Sequence, residues 1–429
     1  MTSPTLCAIP WNHLSIQQNG DYRACCQCIH PPFGKLTDGA SQMNVQTTSF
    51  DDARNAVELK EIRASMLRGE KPTACKLCWD EEATGLSSRR KAVNGQYGLP
   101  DVSATTADGT VDVSVNPLTY MDVRFGNLCN QACRSCGPSD SSLWYDDAAE
   151  LSPTKKMVFY GNKTYDFKKK GKSWTIDSDD FLWYNQPQFF DELKKHLRNI
   201  NRFYFTGGEP TINKAHFKTL ELCVEADVAK NITLEYNSNL MAIPPALVKT
   251  WSKFNRVTIG ASIDAYGHLA NYVRWPSHWE DIEKNLFALD SDETINLDFT
   301  ISSTISSLNI LNFLDLIRWM SNQSFKKLRQ MPSYHMLHGP SFLCVQNLPK
   351  QAKIDIAKKY DEFFDEMKRN KTANRRHIQN YLTRIIMFMN EKEQNIAAFN
   401  QLKVEIAKMD SRRNQDVKKS IPWLAKHLA

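Results

Sequence analysis

The stretch Met121-Asp-Val-Arg-Phe-Gly-Asn-Leu-Cys-Asn-Gln-Ala-Cys-Arg-Ser-Cys-Gly137 places three cysteines within eight residues. They are Cys129, Cys133 and Cys136, and they follow a short apolar segment whose pattern predicts a strand. Three thiolates can bind three irons of a cubane iron-sulfur cluster, but the fourth iron is left without a protein ligand. A structural zinc ion would instead need a fourth ligand from elsewhere in the chain. The stretch therefore predicts a metal site with one open position, where chemistry can occur.

Composition indicates a globular protein with a substantial core, since 41% of the 429 residues are hydrophobic and 24% are charged. Nine of the 11 cysteines lie in tight groups before residue 137, which in a reducing compartment indicates metal ligation rather than disulfides. The chain has no run of 18 apolar residues and no signal-peptide pattern at its start, so we expect a cytoplasmic protein without a membrane segment. The net charge of +6 is spread among acidic residues and does not indicate a nucleic-acid partner.

From residue 118 onward, short apolar strands alternate with helical segments, which is typical of a parallel sheet. The expected strands cover residues 120–124, 202–205, 232–236, 256–262, 296–302 and 333–337. Six βα repeats are two short of a complete eight-fold barrel. The sequence therefore predicts an α/β fold, a partial (β/α)6 TIM-like barrel over residues 116–347.

Two further regions flank this barrel. Residues 1–100 hold the other cysteine groups, a hairpin signal at Asn19-Gly20 and a helical pattern over 49–67, which together indicate a small α+β domain stabilised by metal. Residues 348–429 read as a helical extension with apolar stripes that pack on the barrel. An insert at 153–180 carries a run of lysines and is expected to be either a surface hairpin or a lid over the active site.

The three-cysteine loop, with Asn127 before it and Asn130 inside it, resembles the cluster-binding loop of the radical S-adenosylmethionine (SAM) superfamily. The segment Phe205-Thr-Gly-Gly-Glu-Pro210, at the end of the next predicted strand, resembles the Gly-Gly-Glu-Pro motif of the same superfamily. The resemblance implies a [4Fe-4S] cluster whose open iron binds the amino and carboxylate groups of SAM. An electron from this cluster would break a carbon-sulfur bond of SAM and produce a 5′-deoxyadenosyl radical.

The resemblance also implies that SAM is bound by residues at or just beyond successive strand ends. The implied residues are Gly207, Gly208, Glu209, Pro210, Ser238, Asn239, Ser262, Asp264 and Arg274. Glu209 would accept hydrogen bonds from the SAM amino group, and Arg274 would pair with the SAM carboxylate. From the residues alone, Asp264 could instead cap a helix and Arg274 could lie on the surface. Ser135 departs from the aromatic residue that is usual before the third cysteine, so the adenine contacts stay unassigned.

The N-terminal cysteines resemble those of the auxiliary-cluster domains called SPASM or twitch. They are Cys7, Cys25, Cys26, Cys28, Cys75 and Cys78. The resemblance implies a second, auxiliary [4Fe-4S] cluster with four protein ligands, which would serve as an electron conduit or a structural staple. A one-residue bulge would exchange the faces of Cys25 and Cys26, so the hairpin pattern does not choose between them, and Cys28 is a bystander or an exchangeable ligand. A structural zinc ribbon is the alternative.

These features lead us to expect a radical SAM enzyme that abstracts hydrogen from a peptide or protein, with flavodoxin or ferredoxin as the reducing partner. A dehydrogenase or mutase of a small molecule is the alternative enzyme, and an iron-sulfur or zinc RNA-binding protein is the alternative of another class. Cys344 lies beyond the last predicted strand, where its thiol would donate a hydrogen atom to a substrate radical or would be a buried structural group. His335 and His338 would line the substrate pocket or lie in the core or at its rim.

Overall fold

The structure of the protein is a computed structural model that describes residues 4–28, 34–83, 85, 87–160 and 163–428. The strands in these residues are β1 (His13–Ile16), β2 (Tyr22–Arg23), β3 (Tyr120–Val123), β4 (Ala132–Cys133), β5 (Lys156–Phe159), β6 (Lys163–Lys170), β7 (Ser173–Ile176), β8 (Arg202–Phe205), β9 (Thr233–Ser238), β10 (Arg256–Ser262), β11 (Arg274–Trp275), β12 (Leu297–Ile305) and β13 (Ser333–Met336). The helices are α1 (Ile9–Asn12), α2 (Phe50–Arg54), α3 (Val57–Leu67), α4 (Lys76–Ala83), α5 (Arg89–Tyr97), α6 (Tyr145–Leu151), α7 (Gln188–His196), α8 (Lys214–Glu225), α9 (Pro245–Trp251), α10 (His268–Val273), α11 (Trp279–Ser291), α12 (Asn312–Ser321), α13 (Lys350–Arg369), α14 (Arg375–Asn390), α15 (Ile396–Arg413), α16 (Val417–Ser420) and α17 (Pro422–Leu428).

Eight strands form the main sheet, in the order β13-β12-β10-β9-β8-β3-β1-β2. Six of them, β3, β8, β9, β10, β12 and β13, pair in parallel as consecutive neighbours with helices in the connections. Each of the six begins within one residue of its predicted start. The predicted α/β fold with a partial (β/α)6 barrel is therefore confirmed. Because the strands are parallel, their carboxyl ends meet at one edge, where such folds collect their functional groups.

The two faces of the barrel sheet differ in side-chain chemistry. The face under the helices is apolar, and the ring of Phe205 on β8 lies 4.8 Å from the ring of His216 on α8. The opposite, inner face of β10 and β12 carries small or hydroxyl side chains at half-buried positions, among them Gly260, Ser262 and Ser302. A Cβ atom on Gly260 would lie 2.9 Å from the Asn237 side chain, so these strands lie close together at that level.

The N-terminal region contributes two strands to the barrel sheet. The predicted hairpin is present, with β1 antiparallel to β2 and Gly20 in the left-handed region at φ +83°. On its other side, β1 pairs in parallel with β3, from His13 opposite Tyr120 to Ile16 opposite Val123. The first barrel strand therefore has a neighbour from the N-terminal region on one side and β8 on the other.

The helix predicted over 49–67 is divided into α2 and α3, with Asn55 and Ala56 between them. The Asn55 side chain exchanges two hydrogen bonds of 3.0 Å with the backbone of Val111, which lies between α5 and β3. Arg63 of α3 donates to the carbonyl oxygens of Gly109 and Pro10, and its guanidinium is buried. The single helix is broken because these long-range hydrogen bonds hold residues 102–115 against it.

The insert forms a three-stranded antiparallel sheet, β5-β6-β7, rather than a single hairpin. It has a small core of its own, in which Met157, Phe159 and Tyr165 pack with Tyr145 of α6. Several of its lysines face acidic partners, as Lys168 does with Asp177 at 3.2 Å. The insert is therefore a small packed unit beside α6 whose surface carries both signs of charge.

The C-terminal residues form helices, as the apolar stripes predict. On α13 the stripe residues Ile356, Tyr360, Phe363 and Met367 are buried, and the Tyr360 hydroxyl donates to the carbonyl oxygen of Ile310 at 3.0 Å. The longer helix α15 packs against the short turn Ser341–Leu343 that follows β13. Across the described ranges, no helix is both long and apolar enough to cross a membrane.

Candidate functional site

The three-cysteine loop lies directly beyond the carboxyl end of β3, at the edge where the strand ends meet. Cys133 is buried, Cys129 is half-buried and Cys136 is exposed. Asn127 donates to the carbonyl oxygen of Pro138 at 2.8 Å and to the Tyr145 hydroxyl at 2.7 Å, so the entry and exit of the loop are joined. The loop is thus held in place by hydrogen bonds of its own.

Charged groups surround the middle cysteine of this loop. Cys133 on β4 lies opposite Arg274 on β11, and Arg274 Nη1 lies 3.7 Å from Cys133 Sγ. Arg274 Nε donates to Asp264 at 2.7 Å, and the Thr304 backbone amide donates to the other oxygen of that carboxylate. The pKa of Cys133 lies below its ordinary value, because the Cys136 thiol donates a hydrogen bond to it and Arg274 adds positive charge. Cys133 therefore holds its thiolate form most readily.

Glycine is required where the Gly-Gly-Glu-Pro segment passes the three-cysteine loop. Gly207 and Gly208 have φ of +76° and +60°. A Cβ atom on Gly208 would lie 2.3 Å from the Leu128 carbonyl oxygen, and one on Gly207 would meet the Arg124 side chain. The backbone amide of Glu209 donates to that same Leu128 oxygen at 2.8 Å. The two motifs, 80 residues apart in the sequence, are therefore packed backbone against backbone.

Glu209 connects the ends of two strands. Its buried carboxylate accepts hydrogen bonds from the Ser238 hydroxyl at 2.8 Å and from the Asn239 backbone amide at 2.7 Å, and also from Thr211. Burial raises the pKa of this carboxyl. Asn239 in turn donates to Asn130 of the three-cysteine loop at 2.7 Å. The structure thus brings the predicted residues Glu209, Ser238 and Asn239 together beside the loop.

The remaining predicted residues lie at three places. Ser262 ends β10 on the inner face, and Asp264 with Arg274 forms the ion pair beside Cys133 described above. Pro210 begins the short turn Pro210–Ile212. Cys344 is buried, and its thiol faces the Pro340 carbonyl oxygen at 3.9 Å on the side of the C-terminal helices. Within the part of the chain that the structure describes, no hydrogen bond joins Cys344 to the three-cysteine loop, and its role as a hydrogen donor stays a prediction.

His335 and His338 lie apart from these groups. Both side chains are exposed. His335 lies on β13, and the His338 ring also packs against Phe388 of α14 at 5.3 Å. His338 is thus a packing residue at the rim of the barrel, and His335 remains a solvent-facing side chain.

A second site lies in the N-terminal region, where five cysteines from three segments of the chain line one pocket. They are Cys7, Cys25, Cys28, Cys75 and Cys78. Apolar side chains such as Ile62 and Met66 form much of the remaining wall, together with Arg89 and Arg90. Burial raises the pKa of Cys7 to about 12, so this thiol stays protonated until a metal replaces the proton. Several thiols around one enclosed apolar space fit a thiolate-ligated cluster.

Cys26 does not line this pocket, although its neighbours Cys25 and Cys28 do. Its pKa is lowered to about 7, because the Cys25 thiol donates a hydrogen bond to it. The charges that act on it are those of Asp122 and Arg124 in the barrel and of Arg89, which lines the pocket. The sequence left Cys25, Cys26 and Cys28 as alternatives, and the structure places Cys25 and Cys28, but not Cys26, in the wall of the pocket.

No three His, Cys, Asp or Glu side chains converge on a single point among the described residues. In a cubane cluster each thiolate binds its own iron, so cluster ligands need not converge in this way.

Sequence reasoning missed a group of residues that join the C-terminal helix α15 to the three-cysteine loop. Arg134 of the loop donates to Asp410 at 2.5 Å, and Arg413 pairs with Asp147 of α6 at 3.0 Å. These partners are more than 260 residues apart in the sequence. No local pattern identifies such pairs, and the only available signal was the basic end of a helix in Arg412 and Arg413.

Comparisons with known proteins support the interpretation of the N-terminal cysteines as those of a SPASM domain. A family model described as SPASM, an iron-sulfur cluster-binding domain, matches residues 7–79 and confirms that resemblance. Similar solved structures include native anSMEcpe with bound AdoMet, at 18% identity and a TM-score of 0.36 over 59% of this chain and 63% of that chain. Another is Streptococcus suis SuiB bound to S-adenosylmethionine, at 11% identity and a TM-score of 0.32 over 59% of this chain and 45% of that chain. This chain thus spans less than two thirds of either protein, and no curated protein matches it.

Proposed function

We propose that the protein is a radical SAM enzyme with an auxiliary iron-sulfur cluster. The observation that carries the proposal is the three-cysteine loop at the carboxyl edge of the parallel sheet, packed directly against the Gly207-Gly208-Glu209 segment. A [4Fe-4S] cluster held there would supply an electron to SAM at its open iron and so generate a 5′-deoxyadenosyl radical. Cys129, Cys133 and Cys136 would each hold one iron.

The residues around the loop have separate tasks in this proposal. Gly208 allows the backbone of its segment to reach the Leu128 carbonyl oxygen, which fixes the position of Glu209. Glu209 orders the ends of β8 and β9 through Ser238 and Asn239, and its carboxylate keeps lone pairs that can accept hydrogen bonds from an ammonium group. Asp264 orients Arg274, which presents its positive charge to the Cys133 thiolate.

The auxiliary cluster is proposed for the pocket that five cysteines line in the region matched by the SPASM model. Four ligands would complete a cubane, which leaves one of the five cysteines as a spare or exchangeable ligand. Such a cluster would carry an electron or hold together the segments that supply its ligands.

The proposed substrate is a peptide or protein, as the SPASM resemblance implies, and a flavodoxin or ferredoxin would supply electrons. The small residues on the inner face of β10 and β12 support space for a substrate within the barrel. Asp122 and Arg124 lie on β3 and just beyond it, and their charges would equally suit a small polar molecule. Dehydrogenation or rearrangement of such a molecule is therefore the second candidate.

The test is an assay of SAM cleavage by the anaerobically reconstituted full chain with dithionite. We expect iron and sulfide near about eight per chain for two cubanes, and formation of 5′-deoxyadenosine. Cys133→Ala should reduce this product to background, whereas Cys223→Ala should retain it, because Cys223 is a buried residue of α8 with no role in either site. Metal-loaded protein that never cleaves SAM would overturn the proposal.

A further inference from the structure

The last turn of α15 reaches the three-cysteine loop through Arg413. The guanidinium of Arg413 lies between two indole rings, 4.7 Å from that of Trp144 and 4.9 Å from that of Trp275. Only 1% of its side chain is exposed. An arginine stacked between two aromatic faces is held in one position by cation-π contacts on both sides.

Both indoles are anchored to the middle cysteine. Trp144 Nε1 donates to the carbonyl oxygen of Cys133 at 3.0 Å. Trp275 lies on β11, which pairs with β4, so that Trp275 is opposite Ala132 and its neighbour Arg274 is opposite Cys133. The backbone around Cys133 therefore fixes the position of Arg413, although Arg413 belongs to a helix at the other end of the chain.

The charges around Arg413 do not balance. Arg412 and Arg413 share the carboxylate of Asp147, with Nε to oxygen distances of 2.7 and 3.0 Å. Arg134 pairs with Asp410 at 2.5 Å. Three guanidinium groups thus meet two carboxylates at hydrogen-bond distance, and the further carboxylate that acts on Arg412, that of Glu150, is 43% exposed. Among the buried groups, positive charge is therefore in excess beside the loop.

The hydrogen bonds of Arg413 are also incomplete. Within the described residues neither Nη1 nor Nη2 has a hydrogen-bond acceptor, although Nη2 lies 3.0 Å from Asp147 Oδ2. A buried guanidinium without full pairing is costly unless a further negative group lies close by.

We infer that α15 is part of the active site and that Arg413 is a positioning residue whose charge favours reduction of the cluster at the three-cysteine loop. This inference rests on the proposed function. Each electron added to a cluster with three thiolate ligands increases its negative charge, and a nearby buried positive charge stabilises the reduced form. Arg413 therefore raises the reduction potential of that cluster.

The test is a potentiometric titration of the reconstituted full chain, followed by electron paramagnetic resonance. The cluster at the loop is identified as the one whose signal changes when SAM is added. Arg413→Gln should move its midpoint potential to more negative values, and Arg413→Lys should keep it close to that of the parent protein. Asp147→Asn should move it to more positive values, because one more positive charge is then unbalanced.

Arg412→Gln is the matched control, because Arg412 shares Asp147 but is 30% exposed, and its charge is screened by water. We expect a much smaller shift for this variant. A midpoint unchanged in Arg413→Gln, or shifts of the same sign in Arg413→Gln and Asp147→Asn, would overturn the inference. If Arg413→Gln does not fold, Asp147→Asn alone tests the inference: a midpoint potential shifted to more positive values supports it, and an unchanged or more negative one overturns it. Absence of any SAM-sensitive signal in the parent protein would instead overturn the proposed function.

Discussion

The two cysteine regions of this protein differ in how their thiols are brought together. In the N-terminal pocket, five cysteines come from segments that begin at Cys7 and end at Cys78, and apolar side chains enclose them. In the three-cysteine loop, all three lie within eight residues at an open edge of the sheet, among charged groups such as Arg274 and Arg413. The pocket thus joins distant segments of the chain, whereas the open edge leaves room for a ligand beside the cysteines.

The two regions also differ in the protein contacts that hold their cysteines in place in the absence of metal. The loop is already held by Asn127, by the contact of Gly208 with Leu128 and by the pairing of β4 with β11. In the pocket the thiols face one another across an apolar space, where bonds to a shared metal would add contacts between segments that lie far apart in the chain. We therefore expect metal binding to increase the stability of the protein mainly at the pocket, and to serve the reaction mainly at the loop.

The largest expected effect is at the contact between the two motifs of the open site. Gly208→Ala would place a methyl group 2.3 Å from the Leu128 carbonyl oxygen at a φ of +60°, so the segment must move away from the loop. We expect 5′-deoxyadenosine formation to fall to background, measured by chromatography after reaction with SAM and dithionite. Gly137→Ala is the matched control, because a Cβ atom there meets nothing within 4 Å. Equal activity in both variants would contradict this account of the site.

The next effect separates the two regions directly. The double variant Cys75→Ala/Cys78→Ala should reduce iron from about eight to about four per chain and lower the melting temperature, because the pocket loses two ligands. SAM cleavage should persist, since the loop keeps its three cysteines. Cys129→Ala should show the reverse, with the melting temperature nearly retained and SAM cleavage lost. Iron analysis, thermal unfolding and product assays on the same preparations would measure these effects. The same losses in both variants would contradict the separate roles of the pocket and the loop.

A smaller effect is expected on the iron content of the pocket when one of the adjacent cysteines Cys25 and Cys26 is replaced. Cys25 lines the pocket and Cys26 does not, so Cys25→Ala should lose more auxiliary iron than Cys26→Ala. Iron and sulfide content after anaerobic reconstitution would measure the difference. Loss confined to Cys26→Ala would mean that metal binding reverses the two side chains, and would assign Cys26 as the ligand.

The smallest effect is on stability as a function of pH. His13 on β1 and His216 on α8 are buried, and burial lowers the pKa of each from 6.5 to about 3. The unfolded chain binds protons at these groups below pH 6.5 while the folded chain does not. Stability should therefore fall as the pH drops from about 6.5 toward 3, by up to roughly 1.4 kcal/mol per pH unit for each group.

Urea unfolding of metal-free protein at pH 7 and pH 5 would measure this loss. His13→Gln and His216→Gln should each make the pH dependence weaker. Because β1 belongs to the barrel sheet, both variants should act on one common transition. Two separate transitions, each sensitive to one histidine, would show that the N-terminal region and the barrel unfold independently.

Local patterns predicted much of the barrel. The alternation of apolar segments located all six parallel strands, and the predicted motif residues Glu209, Ser238 and Asn239 did meet at neighbouring strand ends. These side chains lie close together because consecutive parallel strands bring their carboxyl ends to one edge of the sheet. The division of the helix over 49–67 was missed, because its cause is the pairing of Asn55 with Val111, 56 residues away.

The sequence by itself determined the number and spacing of the thiols, the strand ends that carry the motifs and the need for glycine beside the loop. These are properties of short segments, where spacing and backbone geometry decide the outcome. Three features were visible only in the tertiary structure: β1 joins the barrel sheet, Cys25 and Cys28 line the pocket whereas Cys26 does not, and Arg413 lies between Trp144 and Trp275. Each of these depends on packing and charge between segments far apart in the chain, and such contacts leave no periodic pattern in the sequence.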